Sequence, residues 1–127
     1  MDSRSWNTNV LAYMGDAVYE VRIRKMLVER GPMDVDKLHH EAVRYVSAEG
    51  QAKAVKSMIR EFLTDEEIRL VKRARNHRVT SHPRGADPRE YKLATGLEAL
   101  LGFLFLDGQH ERMIAVVNEA VRVIDEG

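Results

Sequence analysis

The stretch YKLATGLEALLGFLFLDG, residues 91–108, has the composition of a helix that is buried on most of its sides. Apolar residues occupy most positions after Thr95, and Gly108 is typical of the residue that follows a helix C-terminus. Small residues one turn away from Glu98, among them Gly102, allow a second helix to approach closely. Glu98 is therefore a carboxylate among apolar side chains, where an unpaired charge is unfavourable.

A second stretch, LAYMGDAVYE at residues 11–20, presents the same anomaly. Asp16 follows Gly15 inside a run of apolar residues, and helical spacing predicts that it shares a polar stripe with Glu20. The same spacing predicts a core-facing stripe made of Val10, Leu11, Met14, Val18 and Val21. From spacing alone, a half-exposed surface pair and an active-site acid are equally favoured interpretations of Asp16.

Two apolar helices that each carry one embedded acid could pack with Asp16 facing Glu98. A divalent cation would then relieve the repulsion, and all-oxygen ligands favour magnesium or manganese. The five histidines do not indicate a zinc site, because the sequence has no HExxH motif and no cysteine. The residues alone leave this metal site as a hypothesis beside a structural role for both acids.

Helical periodicity extends along almost the whole chain, and no segment reads as a strand. Ser47 and Gly50 predict a break, and Thr64 with Glu67 has the spacing of a capping box. The predicted helices cover about residues 7–30, 34–63 with that break, 64–75, 91–107 and 110–124. The 127 residues are expected to form one all-α domain, residues 1–127. The sequence shows no leader pattern and no apolar run of membrane-spanning length, and with no cysteine it is expected to be cytoplasmic.

Basic residues concentrate in one segment, although the net charge of the chain is zero. Residues 69–92 contain eight basic and two acidic side chains, a net charge of +6. A helix dipole explains cations near the end of the predicted helix but not those in the loop predicted at 76–89. Aromatic residues for base stacking are absent between Phe62 and Tyr91, so the segment favours contact with a duplex backbone. The candidate RNA-binding residues are Lys72, Arg73, Arg75, Arg78 and Arg84.

Four motifs together resemble the ribonuclease III family, and specifically its compact bacterial branch without a double-stranded-RNA-binding domain, Mini-ribonuclease III. They are LAYMGDAVYE, YVSAEGQA at residues 45–52, KRARN before the loop, and TGLEALLGFLFL. The resemblance covers essentially the whole chain. It implies a ribonuclease III-like helical bundle that works as a homodimeric, magnesium-dependent endoribonuclease on double-stranded RNA. It also implies a task in this branch, maturation of the ends of the large-subunit (23S) ribosomal RNA precursor.

Carried over by position, the resemblance implies that Asp16 and Glu98 are the catalytic, metal-binding acids. Larger members of the family have two more acids, at the positions of Ala12 and Thr95, so water and RNA phosphate oxygens would complete the metal coordination here. Glu20 is a possible auxiliary residue because of its helical position. The helix 91–107 and YVSAEGQA are candidates for the dimer contact.

Two alternatives from other classes remain at this point. In the first, the chain is a non-catalytic helical RNA-binding module, and both acids are structural. In the second, it is a helical dimerisation protein whose basic loop binds an acidic protein partner. Metal-dependent cleavage of duplex RNA separates the nuclease from both alternatives.

Overall fold

The computed structural model describes residues 2, 5–31, 33–77, 85 and 87–127, and these form six helices without a strand. The predicted all-α fold is therefore confirmed. The helices, in chain order, are α1 (Thr8–Glu29), α2 (Val35–Val46), α3 (Ala48–Glu61), α4 (Asp65–Asn76), α5 (Pro88–Leu106) and α6 (His110–Glu126).

Most helix ends lie where the sequence predicts them, because the capping side chains work as expected. Ser47 ends α2 and caps α3, its Oγ accepting a hydrogen bond from the Gly50 amide at 3.1 Å. Thr64 and Glu67 form the complete capping box at the start of α4. The start of α5 differs from the prediction: Asp87 caps the helix and Pro88 is its first residue, so Pro88 and Arg89 do not belong to the loop. Proline suits the first helical position, where its missing N–H is not needed.

Helix α5 is the centre of the fold and contacts α1, α3, α4 and α6. Ten of its nineteen residues are buried, which explains why residues 91–107 are so apolar. The apolar side chains predicted as a dimer contact are thus largely covered by the chain's own helices. Phe105 and Leu106, at the end of α5, are its partly exposed large apolar residues.

Helices α1 and α5 touch through their backbones. A Cβ atom at Gly15 would lie 1.6 Å from the Glu98 carbonyl oxygen, and one at Gly102 would lie 1.9 Å from the Leu11 carbonyl oxygen. Both separations are far below van der Waals contact, so only glycine fits at these two positions. The close approach predicted from the small residues is confirmed.

The buried face of α1 is rotated from the predicted one. It consists of Thr8, Leu11, Ala12, Gly15, Val18, Tyr19, Ile23 and Leu27. Val10 and Val21, which were predicted in the core, are 50% and 63% exposed. The contact through Gly15 turns that residue towards α5, and this leaves Val10 and Val21 on the opposite side.

Replacing Gly102 with alanine tests the backbone contact through the sign of its effect. In an ordinary helix interior, Gly→Ala raises stability by about 1 kcal/mol. Here the new methyl group would push α1 and α5 apart, so we expect the free energy of unfolding to fall by about 1–3 kcal/mol. Urea denaturation followed by circular dichroism measures the difference, and an unchanged or increased stability would contradict the contact.

Candidate active site

The contact between α1 and α5 brings the carboxyl groups of Asp16 and Glu98 together. Asp16 is exposed on α1, whereas Glu98 is partly buried on α5. Asp16 lies close enough for its negative charge to raise the pKa of the Glu98 carboxyl group. The pair predicted from the two apolar stretches is therefore present.

Glu98 has a strongly perturbed pKa. Burial of its carboxyl group and then the negative charge of Asp16 raise the pKa from the usual 4.5 to about 8, although a hydrogen bond from Gln51 opposes the shift. A raised pKa means that the negative charge at this position lacks sufficient compensation from the surrounding protein. Such a carboxylate beside a second one is typical of a functional site.

A third polar side chain, Gln51 of α3, contacts Glu98. Its Nε2 donates hydrogen bonds to the Val46 carbonyl at 3.0 Å and to Glu98 Oε2 at 3.2 Å. Its Oε1 is buried and has no hydrogen-bond partner among the described residues. Gln51 belongs to the motif YVSAEGQA, but the sequence does not indicate its place beside Glu98, because the contact joins residues 47 positions apart.

Ala12 and Thr95 occupy the positions where the resemblance implies acids in larger family members, and neither offers a carboxylate. Ala12 has an apolar side chain and is only 9% exposed. The Thr95 hydroxyl donates to the Tyr91 carbonyl of its own helix at 3.0 Å. Among the residues that the structure describes, no group of three or more acidic, histidine or cysteine side chains could hold a metal ion. The site is therefore a carboxylate pair with a neighbouring amide.

These residues fit a magnesium ion. A hard divalent cation is commonly bound in proteins by one or two carboxylates, with water filling the remaining positions. Asp16 and Glu98 provide the two carboxylates, and the unpartnered Oε1 of Gln51 provides a neutral acceptor nearby. A cation here would offset the repulsion that raises the pKa of Glu98.

Glu20, the possible auxiliary residue, is engaged elsewhere. Its Oε1 accepts hydrogen bonds from Arg24 Nη2 at 3.1 Å and from Nε at 3.3 Å. Its side chain lines a groove between α1 and α2 that also includes Leu38 and His39. Glu20 thus forms an ion pair with Arg24 on the surface of α1, and its auxiliary role stays a prediction.

Basic side chains line a groove where α3, the end of α4 and the start of α5 meet. Its cationic residues are Lys56, Arg75, Arg89 and Lys92, and its acidic ones are Asp87 and Glu90. Asp87 caps α5 and lies near the guanidinium of Arg89. Sequence analysis missed Lys56, because it lies on α3 and outside the basic segment of residues 69–92.

The predicted RNA-binding residues divide into three groups. Lys72 is exposed on α4, and Arg75 lines the basic groove. Arg73 is partly buried and donates to the Trp6 carbonyl at 3.1 Å, which ties the N-terminal segment to α4. Arg78 and Arg84 lie outside the described residues.

Comparisons with known proteins identify the family of the chain. Residues 9–109 match the family model described as the Ribonuclease III domain. The solved structure of a protein from Fusobacterium nucleatum superimposes with a TM-score of 0.82 at 31% identity, covering 96% of this chain and 98% of that one. The chain belongs to the ribonuclease III family.

Within the family, several curated relatives are Mini-ribonuclease 3 proteins. The Mini-ribonuclease 3 of Symbiobacterium thermophilum is 45% identical over 92% of this chain and 89% of its own length. The Mini-ribonuclease 3 of Enterococcus faecalis is 40% identical over 98% of this chain and 96% of its own length. The resemblance to the Mini-ribonuclease branch is thereby confirmed, and the chain is an endoribonuclease of the ribonuclease III type. The two non-catalytic alternatives gain no support from these relatives.

The perturbed pKa of Glu98 predicts how stability depends on pH without metal. Between pH values of 4.5 and about 8, the folded protein retains a proton on Glu98 that the unfolded chain releases. The free energy of unfolding should therefore fall as pH rises through this range. Glu98→Gln, whose amide resembles the neutral acid, should lack the contribution of Glu98 to this pH dependence. The free energy of unfolding of the variant should therefore increase relative to that of the wild type as pH rises.

Urea titrations in EDTA across this range measure the effect. Glu61→Gln, an exposed position on α3, is the matched control and should keep the wild-type pH dependence. A constant difference between wild type and Glu98→Gln would show that Glu98 ionises normally.

Proposed function

We propose that the chain is a magnesium-dependent endoribonuclease that cuts double-stranded RNA with Asp16 and Glu98 as its metal-binding acids. The observation that carries the proposal is the backbone contact of α1 and α5, which holds the two carboxyl groups together in a partly enclosed position. Membership of the ribonuclease III family supports the reaction class and the duplex substrate. Mn²⁺ is a plausible substitute because it shares the preference for oxygen ligands.

Asp16 and Glu98 hold the cation from two different helices, so the ion's position is fixed by the core of the fold. The two carboxylates would hold Mg²⁺, which would supply an activated water and neutralise charge that develops on the phosphate. Exposure of Asp16 leaves the site open to a large substrate. Burial of Glu98 limits the competition from bulk water, which strengthens electrostatic interactions at the site.

The basic groove supplies affinity for the phosphate backbone. Leu93, a residue that lines the groove, and Glu98 are five residues apart on α5, a rise of about 7.5 Å along the helix axis. Five residues also turn about 140° around the helix axis, so we propose that the bound duplex spans the side of α5 from the groove to the carboxylate pair. Lys72, Arg75, Arg78 and Arg84 are the proposed phosphate contacts from the basic segment, and Lys56 joins them from α3. Arg73 is proposed to support RNA binding chiefly by holding the N-terminal segment against α4, through its hydrogen bond to the Trp6 carbonyl.

A homodimer would place one site against each strand of a duplex. The proposed contact surface is an exposed apolar stripe on α1, which consists of Val10, Tyr13, Ala17, Val21 and Val28. Their spacing of three, four or seven residues aligns them on one helix face, opposite the core. Tyr13 is 81% exposed, which is unusual for a large aromatic residue unless a partner covers it.

The biological setting is also part of the proposal. Residues 1–127 are proposed to act as a single catalytic domain in the cytoplasm, where the substrate is the 23S ribosomal RNA precursor. No helix among the described residues has the length and apolarity needed to cross a membrane. The similarity to Mini-ribonuclease 3 proteins supports a substrate of this class.

Removing either carboxylate tests the proposed active site. Asp16→Asn and Glu98→Gln each keep the side-chain shape but delete a negative charge, so cleavage of a long RNA duplex should fall at least about 100-fold. Cleavage by the wild type should require Mg²⁺ and stop in EDTA. Gel analysis of the products measures the rate, and circular dichroism confirms that each variant is folded.

Glu29→Gln is the matched control, because Glu29 lies on the same helix as Asp16 and, among the described residues, pairs with Lys25 on the surface. Its activity should equal that of the wild type. Wild-type cleavage by folded Asp16→Asn would refute the assignment of the site.

Neutralising two of the proposed phosphate contacts of the basic segment tests RNA binding. In a Lys72→Gln, Arg75→Gln double variant, loss of two phosphate contacts should weaken duplex binding and reduce the salt-dependence slope by about two. Fluorescence anisotropy in EDTA over a range of salt concentrations measures both quantities. Lys37→Gln on α2, an exposed cation outside the groove, should leave the slope unchanged. An unaltered slope in the double variant would exclude these two residues from the interface.

A further inference from the structure

The side chain of Gln51 is buried beside the carboxylate pair and contacts Glu98. Gln51 is only 2% exposed, and its neighbours on α3 include the buried small residues Gly50 and Ala52. Burying an amide is unfavourable unless its polar atoms find partners. One of its two polar atoms, Oε1, has no partner among the described residues.

The orientation of the Gln51 amide is determined by its two acceptors. Val46 is the last residue of α2, so its carbonyl has no partner within that helix and requires a donor. An ionised Glu98 carboxylate likewise accepts hydrogen bonds and does not donate them. The Val46 carbonyl therefore requires Nε2 whatever the protonation state of Glu98, because the flipped amide would place oxygen against oxygen at 3.0 Å. An ionised Glu98 requires Nε2 as well, at 3.2 Å.

The corner between α2 and α3 gives this amide a rigid support. Ser47 caps α3, and a Cβ atom at Gly50 would lie 2.2 Å from the Arg44 carbonyl oxygen, so the two helices meet closely. The Val46 carbonyl is consequently held in place by the backbone of the corner. Through Gln51 this fixed acceptor sets the position of the Glu98 carboxyl group.

We propose that Gln51 is a positioning residue of the active site, which holds Glu98 in its metal-binding orientation and accepts a hydrogen bond from a metal-bound water at Oε1. The inference rests on the proposed function, because it assumes that Asp16 and Glu98 bind Mg²⁺. Magnesium usually keeps several of its waters, and these need acceptors when the site is partly enclosed. Oε1 meets that need without adding a third negative charge beside Asp16 and Glu98.

The wild-type protein provides the first test, because Gln51 and Gln109 are the only two glutamines in the sequence. Selective ¹⁵N-glutamine labelling therefore gives two pairs of side-chain amide resonances. Titration with Mg²⁺ in the absence of RNA should shift the Gln51 pair along the same binding curve that calorimetry gives. Gln109 is an internal control, because it is exposed and its Nε2 donates to Asp107 Oδ2 at 2.7 Å. Its resonances should not follow that curve.

The Gln51→Met variant provides the second test, because methionine has a similar length but no amide. Loss of a side chain that orients a metal ligand typically lowers metal affinity 10–100-fold, and we expect a loss in that range for Mn²⁺ measured by calorimetry. High Mg²⁺ should restore much of the cleavage rate, whereas duplex affinity in EDTA should remain that of the wild type. A purely structural defect would not be rescued by metal.

The outcomes separate this inference from the proposed function. Mg²⁺ binding that leaves the Gln51 resonances in place overturns the positioning role alone, as does wild-type Mn²⁺ affinity in folded Gln51→Met. Failure of the wild type to bind Mg²⁺ overturns the proposed metal site and the inference together. If Gln51→Met does not fold, the wild-type titration still decides the question.

Discussion

The carbonyl oxygen of Glu98 faces Gly15 with no room for a side chain between them, and the proposed active site depends on this contact. Two helices that pack through larger residues have axes about 8–10 Å apart, and short acidic side chains then meet less readily. Gly15 on α1 and Gly102 on α5 allow the two helix axes to come closer than that. Their presence in helix interiors, which normally lowers stability, follows from the geometry that Asp16 and Glu98 require.

The same packing creates an electrostatic problem that the protein alone does not solve. Glu98 lies in a partly buried position beside a second carboxyl group, and its pKa is raised to about 8 for that reason. The fold therefore keeps a group that is less stable when ionised, as is common where function and stability compete. Only a cation or a proton relieves the repulsion. This electrostatic requirement links the core of the fold to the proposed metal chemistry.

Sequence patterns predicted the helices and singled out the two acids that the fold brings together. They did not predict which face of α1 is buried. Ser47, Thr64 and Glu67 cap their helices as expected, because capping depends on residues that are neighbours in sequence. Val10 and Val21 were assigned to the wrong face, since apolar residues occur on both sides of α1 and only the partner helix decides which side is buried. The hydrogen bond between Gln51 and Glu98 spans 47 residues, and no local pattern reports such a contact.

A site with two carboxylates differs physically from one with four. Each added acid offers the metal another ligand, but it also adds repulsion and desolvation when no metal is bound. Ala12 and Thr95 avoid that repulsion, because Ala12 is apolar and the Thr95 hydroxyl donates to a carbonyl of its own helix. The Gln51 amide offers a donor and an acceptor without charge. The metal-free site is then less strained, and a metal in the proposed site would be held by fewer protein ligands. Weaker intrinsic binding would make the phosphate oxygens of the RNA a larger share of the coordination, so we expect substrate and metal to bind cooperatively.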